Sequence, residues 1–345
     1  MNIDAMARKL KRYLPDTVSS DDLQQKAELA CEILALKEEK NAVILAHNYM
    51  SPDLYYSIPD FTGDSLELSR KAAAADCDVI VFCGVAFMAE TAKILSPDKT
   101  VLIPAEKAGC SLASGITAED VRQLKARHPG VPAVTYINTY ADVKAECDVC
   151  CTSGNAAKVV AALDSETVIF LPDEYLGRNV ARQSGKRFIF PSKRPGAGDE
   201  DAPDGSRMIG WQARCEVHEQ FTTADIARVR DEYPDVVVLA HPECPPEVVD
   251  AADYAGSTSA MIQYVEASAE RRFLILTESA MCENVAAAMP DKEILPHCRI
   301  RCPHMARITL ENTRDALKYG RYAVTVPEDI RRRAVHAVER MLAIG

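Results

Sequence analysis

Long hydrophobic runs are missing from this 345-residue chain. The longest nearly apolar stretch, Val79 to Ala89, is far short of the about 20 residues needed to span a bilayer; it reads as a buried strand running into a helix. The first ten residues, Met1-Asn-Ile-Asp-Ala-Met-Ala-Arg-Lys-Leu10, lack the apolar segment and cleavage-like site of a secretory leader. The expectation is a soluble, cytoplasmic protein without a membrane partner. An excess of base is also missing. The formal net charge of -11 argues against a nucleic-acid binder, which needs a basic surface to neutralise phosphates. A small anionic substrate stays possible, because a few local cations or backbone N–H groups suffice for it. The closely spaced cysteine run of common ferredoxins is absent as well.

What is present is ordinary in bulk and unusual in cysteine. Apolar residues make up 48% and charged residues 26%, as in soluble globular proteins. The length exceeds one hydrophobic core, so two or three domains are expected. Twelve cysteines in a reducing compartment are no disulfide framework, which leaves metal binding or catalysis for some of them. Cys31, Cys77 and Cys83 sit in apolar patterns and read as packing residues.

Short β-branched runs alternate with Ala-rich helical stretches, the pattern of parallel α/β units. The alternation recurs three times. Asn41–Tyr49, Ala133–Asn138 and Val236–Glu243 each read as a buried strand ending in polar residues. A hydroxyl-rich loop then opens a helix (Gly63-Asp-Ser65, Thr152-Ser-Gly-Asn155, Gly256-Ser-Thr-Ser259), a second apolar run follows (Val79–Val85, Val168–Leu171, Phe273–Thr277), and each pass closes on Cys110, Cys215 or Cys302. His47 to Ser65, Asn138 to Ser153 and Glu243 to Thr258 span 18, 15 and 15 residues; from hydroxyl to cysteine the counts are 45, 62 and 44. The Gly-, Pro- and Asp-rich segment Arg194–Gly210 accounts for the longer middle pass as an inserted loop. Three passes in register point to an internal repeat. The expected fold is therefore α/β, with three pseudo-equivalent parallel-sheet α/β/α domains around a central active site. The expected boundaries are 1–113 (N-terminal helices and first repeat), 114–220 (second repeat with the inserted loop 194–210) and 221–345 (third repeat and C-terminal helix). Ligands of open α/β sheets bind beyond the carboxyl ends of the strands, so one common site is expected.

One cysteine per repeat, separated by 105 and 87 residues, fits either three packing thiols or a [4Fe–4S] cube with one iron lacking a protein ligand. The strand-end pairs His47/Tyr49, Tyr136/Asn138 and His241/Glu243 fall on one face of an extended chain. They suit proton transfer, since imidazole titrates near neutrality, or they simply cap the sheets. Ser65, Ser153 and Thr258 near helix starts suit either an anion or plain N-capping. His218, three residues after Cys215, is a further candidate contact to substrate or a packing residue. Arg178, Lys193, Arg301 and Arg307 are candidate phosphate cations, with nothing to rank them.

Several motifs run in order from about residue 40 to 310: Ala46-His-Asn-Tyr49, Gly63-Asp-Ser65, Val81–Leu95, Ala108-Gly-Cys-Ser-Leu-Ala113 and Tyr136-Ile-Asn138, then Leu171-Pro-Asp-Glu-Tyr-Leu-Gly-Arg178, His241-Pro-Glu-Cys244, Gly256-Ser-Thr-Ser259 and Cys302-Pro-His-Met305 with Thr309-Leu310. In these the chain resembles the quinolinate synthases, iron–sulfur enzymes of NAD biosynthesis. The resemblance implies three α/β domains around a cavity, and a [4Fe–4S] cluster on Cys110, Cys215 and Cys302. It implies that His47, Ser65, Tyr136, Ile137, Asn138, Ser153, His241, Pro242, Glu243 and Thr258 bind iminoaspartate, with Tyr49, His47, Glu243 and His218 as the catalytic set. The implied reaction joins iminoaspartate to dihydroxyacetone phosphate, losing phosphate and two waters to give quinolinate, with L-aspartate oxidase as a functional partner through the pathway. Where some relatives carry a Cys-x-x-Cys-x-x-Cys run, this chain has Cys298-x-x-x-Cys302. Cys302, before Pro-x-Met, is the expected ligand, and a Cys298–Cys302 disulfide stays open. The rival readings are an aconitase-like hydro-lyase, an iron–sulfur redox sensor and a cluster-free binding protein.

Overall fold

The computed structural model describes residues 2–191, 205–296 and 299–345. Apolar runs without polar interruption can be buried on both faces, which suits parallel strands covered by helices. Thirteen such strands form three sheets among the described residues, and every pairing between them is parallel. The first sheet holds β1 (Ala42–His47), β2 (Phe61–Gly63), β3 (Val79–Cys83) and β4 (Thr100–Leu102), in the order β2-β1-β3-β4. The second holds β5 (Ala133–Tyr136), β6 (Val149–Cys151), β7 (Thr167–Leu171), β8 (Arg187–Ile189) and β9 (Arg207–Ile209), in the order β6-β5-β7-β9-β8. The third holds β10 (Val237–Ala240), β11 (Tyr254–Ala255), β12 (Arg272–Leu276) and β13 (Glu293–Ile294), in the order β11-β10-β12-β13. Helices flank all three, as the recurrence in the sequence foretells. No helix among the described residues is long and apolar enough to cross a membrane.

The repeat extends to single bonds. In each unit an aspartate ahead of the second strand accepts from a backbone N–H of the first: Ile44 donates to Asp60 at 2.8 Å, Ala133 to Asp148 at 2.7 Å and Val238 to Asp253 at 2.8 Å. The carbonyls of the same three residues accept in return from the aspartate amides. Each aspartate also pairs with a base near the end of the helix before the sheet, namely Lys37, Lys125 or Arg230. A single side chain thus ties helix, first strand and second strand together three times over.

Two features differ from the expected layout. Within the segment expected to be an inserted loop, Arg207–Ile209 form β9, which takes the place of β4 and β13 beside the second long strand. The strand peculiar to the middle unit is β8, and residues 192–204 lie outside the described ones. The chain also leaves the third unit after Cys302. The third unit's own core draws on residues from Phe221 to Leu295, whereas Leu310, Leu317, Val338 and Met341 pack into the core shared by the first two units. Ala323 closes the edge of β4 as an antiparallel bridge to Leu102. The C-terminal helix, Glu328–Ile344, was expected from the sequence; the surface that it covers was not.

Asp60, Asp148 and Asp253 yield one expected outcome. Alanine at any of the three strands a strand N–H without its partner, which costs about 1–3 kcal/mol. Urea unfolding should show a loss of that size for each variant.

Candidate active site

The carboxyl ends of β1, β5 and β10 open onto one cavity of about 70 Å³. The first unit contributes His47, Tyr49 and Ser65 to its wall, the second Tyr136, Asn138 and Ser153, and the third His241, Glu243 and Thr258. Cys110, Cys215, Cys302 and His218 line it as well. Ile137 and Pro242 do not. Both are buried behind the wall, their carbonyls taken by Lys144 and by Asn179.

Ser65 and Thr258 are the first residues of the helices Ser65–Ala74 and Thr258–Ala267, and the capping bonds come from Asp64 and Ser257 instead. Their hydroxyls are therefore not used as caps, although Thr258 Oγ1 accepts from Asn48 Nδ2 at 2.9 Å. Ser153 lies in the turn before the helix Ala156–Ala162.

Tyr49 and Glu243 sit in turns rather than on the extended chain. Those turns settle the state of two histidines. Tyr49 N donates to Nδ1 of His47 at 3.2 Å, and Glu243 N donates to Nδ1 of His241 at 3.3 Å. A ring nitrogen that accepts cannot carry a proton, so each neutral ring keeps its hydrogen on Nε2. Burial drives both pKa values down to about 3, further helped at His241 by the nearby His218. At neutral pH both are fixed donors. This differs from the near-neutral titration expected of an exposed imidazole, because the cavity wall withholds the water that would solvate the cation.

Glu243 is only 3% exposed. It accepts from the Tyr136 hydroxyl and sits 2.7 Å from Nδ1 of His218. Burial alone would raise its pKa, but the charge of His218 and the bonds from His218 and Tyr136 prevail and bring it down to about 2. The charge that His241 takes on in acid lowers it further. From His218 the chain of bonds continues through Nε2 to Thr277 Oγ1 at 3.0 Å, and from there to the Tyr49 hydroxyl at 2.5 Å. Both tyrosines are held well above their ordinary pKa, first by burial and then by the Glu243 charge. The result is a continuous route for protons along Tyr136, Glu243, His218, Thr277 and Tyr49, from one wall of the cavity to another.

The three cysteines sit in one recurring loop. Each cysteine carbonyl accepts from the amide four residues on (Ser114, Glu219 and Ala306), and a single 3₁₀ turn follows. The amides two and three residues on (Leu112 and Ala113, Val217 and His218, His304 and Met305) face each sulfur and favour its thiolate. Seven residues after each cysteine a capping box opens the next helix, at Thr117, Thr222 and Thr309. Burial pushes the Cys110 thiol up to about 12 and raises the other two as well. Reactive cysteines show the opposite shift. A thiol that burial keeps protonated while two N–H groups face its sulfur suits a metal, whose charge supplies what ionisation needs. The donor set therefore fits an iron–sulfur cluster ligated three times. The sulfurs also feel one another, Cys110 through Cys302 and Cys215 through Cys110.

Other sequence candidates fall elsewhere. Cys83 is buried against Thr313, and Cys298 lies outside the described residues. Arg178 pairs with Glu174 and Arg301 with Glu283; neither they nor Arg307 lines the cavity, and Lys193 is outside the described residues. The chain also contains the spacing Cys147-x-x-Cys150, but both residues are buried and neither lines the cavity. Sequence reasoning also missed Thr277, Glu216 and His304. Thr277 has no signal beyond its place at the end of β12, whereas Glu216 and His304 were findable as neighbours of ligand cysteines. The threonine seven residues after each cysteine was an overlooked mark of the repeat.

Three parallel α/β units whose strand ends meet at a thiol-lined cavity, crossed by a chain of hydrogen bonds, define an α/β enzyme acting on small molecules. The particular kind follows from its relatives. The family model described as Quinolinate synthetase A protein matches residues 31–343. Quinolinate synthase 2 of Mesorhizobium japonicum is 53% identical over 312 residues, covering 90% of each chain. The quinolinate synthase of Xylella fastidiosa (strain Temecula1) is 53% identical over 90% of this chain and 86% of its own. That of Caulobacter vibrioides is 48% identical over 99% and 88%. The chain belongs to the quinolinate synthase family.

The two neutral histidines predict acid sensitivity. The unfolded chain takes up protons on them from about pH 6.5 downward, and the folded chain only near pH 3. Their contribution to stability is thus complete above about pH 6.5 and lost as the pH falls toward 3. Unfolding midpoints measured across that window should fall, and the His47→Gln/His241→Gln double variant should fall less steeply.

Proposed function

We propose that this chain condenses iminoaspartate with dihydroxyacetone phosphate to quinolinate, releasing phosphate and two waters, in the cytoplasmic biosynthesis of NAD. The observation that carries this reading is the meeting of three equivalent thiol loops with the Glu243–His218 network at one cavity. Cys110, Cys215 and Cys302 hold a [4Fe–4S] cluster, whose iron without a protein ligand supplies a Lewis acid for a substrate oxygen. Delivery of iminoaspartate by L-aspartate oxidase belongs to the same reading.

The remaining work falls to side chains. The Nε2–H groups of His47 and His241, the Asn138 side chain and the hydroxyls of Ser65, Ser153 and Thr258 orient the carboxylates of iminoaspartate. Ser65 and Thr258 suit this because each hydroxyl stands at the first turn of a helix and is not used as its cap. Glu243, ionised and held by Tyr136 and His218, takes a proton from the joined carbon skeleton. His218 and Thr277 relay it, and the Tyr49 hydroxyl returns a proton to a leaving oxygen. Holding both reactants in one small cavity favours ring closure by proximity and excludes water from the imine.

Protein purified without oxygen should contain roughly four iron and four acid-labile sulfide per chain. Glu243→Gln should keep that content and lower quinolinate formation by about 10²- to 10⁴-fold. Turnover should require the triose phosphate, which a hydro-lyase would not. The ligand atoms of Cys215, His218 and Glu243 lie within 4.8 Å of one another. One zinc per chain without sulfide would therefore point to a single ion there and sink the cluster.

A further inference from the structure

Each cysteine loop is tied to the helix that follows the second long strand of its unit. Ala86 N donates to Ala108 O at 2.7 Å, Glu174 N to Ala213 O at 2.8 Å, and Ser279 N to Ile300 O at 2.9 Å. The acceptor stands two residues before the cysteine in all three units. The residue just before each donor is the helix N-cap: Val85, Asp173 or Glu278. Here the units part company. Asp173 uses Oδ1 to accept from Leu176 N at 2.8 Å and Oδ2 to accept from Cys215 N at 3.1 Å. Glu278 uses Oε2 to accept from Ala280 N at 2.7 Å and Oε1 to accept from Cys302 N at 3.4 Å. Both carboxyl groups are 1% exposed. Val85 offers the Cys110 loop no such acceptor.

We infer that Asp173 and Glu278 are positioning residues for two of the three cluster ligands. Each carboxyl group is a bridge, with one oxygen on its helix and the other on the amide of a ligand cysteine. A helix cap needs only the first oxygen; threonine provides one at Thr117, Thr222 and Thr309 in this same chain. The second oxygen fixes where the cysteine backbone sits, and it engages an N–H that would otherwise be free to turn toward a cluster sulfur. Partners behind metal ligands typically change metal retention 10- to 100-fold when removed, and hydrogen bonds to cluster sulfurs set its reduction potential. Asp173 and Glu278 thus hold Cys215 and Cys302 by the same device, whereas among the described residues no carboxylate accepts from the Cys110 amide.

The inference rests on the cluster reading, and its test separates the two. Holoprotein of the parent, Asp173→Thr and Glu278→Thr is prepared without oxygen, with Thr117→Ala as a variant that loses a helix cap bonded to its own helix rather than to a cysteine amide. Threonine retains the cap and deletes the second acceptor. Iron release to excess EDTA should be about 10- to 100-fold faster in both threonine variants. The reduction potential should move to more positive values, and the electron paramagnetic resonance of the reduced cluster should change. Asp173→Glu and Glu278→Asp, which keep both oxygens, should recover most of the retention. Thr117→Ala should lower the unfolding midpoint alone. A loaded parent whose threonine variants show unmoved potential and spectrum, and lose iron only in proportion to their lost stability, overturns the inference by itself. A parent that takes up neither iron nor sulfide overturns the cluster reading and this inference together. The two sites are independent, so a failure of one variant to fold leaves the other to decide.

Discussion

Everything else in the molecule is arranged so that one carboxylate can stay charged away from water. Glu243 comes from the third unit, its partner Tyr136 from the second, and His218 from the loop that closes the second. Through Thr277 the same network reaches Tyr49 of the first unit. An ionised carboxylate without partners at that depth would cost several kcal/mol, and removing one partner of such a group is more damaging than replacing the whole set. The network therefore forms only when all three units have docked, and once formed it resists their separation. Further bonds across the same seams, from Asn48 to Thr258 and from Asn284 to the carbonyls of Asn48 and Met50, act in the same sense.

The scaffold repeats and the chemistry does not. Away from the cavity the units solve their backbone bonding alike, with an aspartate between two strands and a base from the preceding helix. At the cavity the same positions diverge. The strand-end pair is His47 with Tyr49 in one unit, Tyr136 with Asn138 in the next, and His241 with Glu243 in the third. A symmetric frame thus presents an asymmetric set of donors and acceptors at the cavity.

Burial does opposite things to different groups here, and both serve the site. It strips His47 and His241 of their charge and makes them plain hydrogen-bond donors. It keeps the three thiols protonated in the absence of a cation, so they are poor nucleophiles and good prospective metal ligands. Glu243 alone escapes the trend, because the charges of His218 and His241, with hydrogen bonds from His218 and Tyr136, outweigh desolvation. Membership of the quinolinate synthase family and this pattern of charge point the same way.

The long apolar strands, their threefold recurrence and the three closing cysteines were legible in the sequence, because strand burial and loop register leave marks within a few residues of one another. The cavity wall was legible too at His47, Ser65, Tyr136, Asn138, Ser153, His241, Glu243 and Thr258, since strand ends of parallel sheets face a shared site. What stayed hidden was what one unit does to another. The place of β9, the return of the chain after Cys302 to the first two units, the role of Thr277 and the second oxygens of Asp173 and Glu278 all depend on residues far apart in the chain. So does the neutral state of His47, which a strand-end motif suggests should titrate near neutrality. Local pattern determined which side chains this protein could bring to a site; only the tertiary structure decided which of them are charged and which are bonded, because desolvation and distant partners set both.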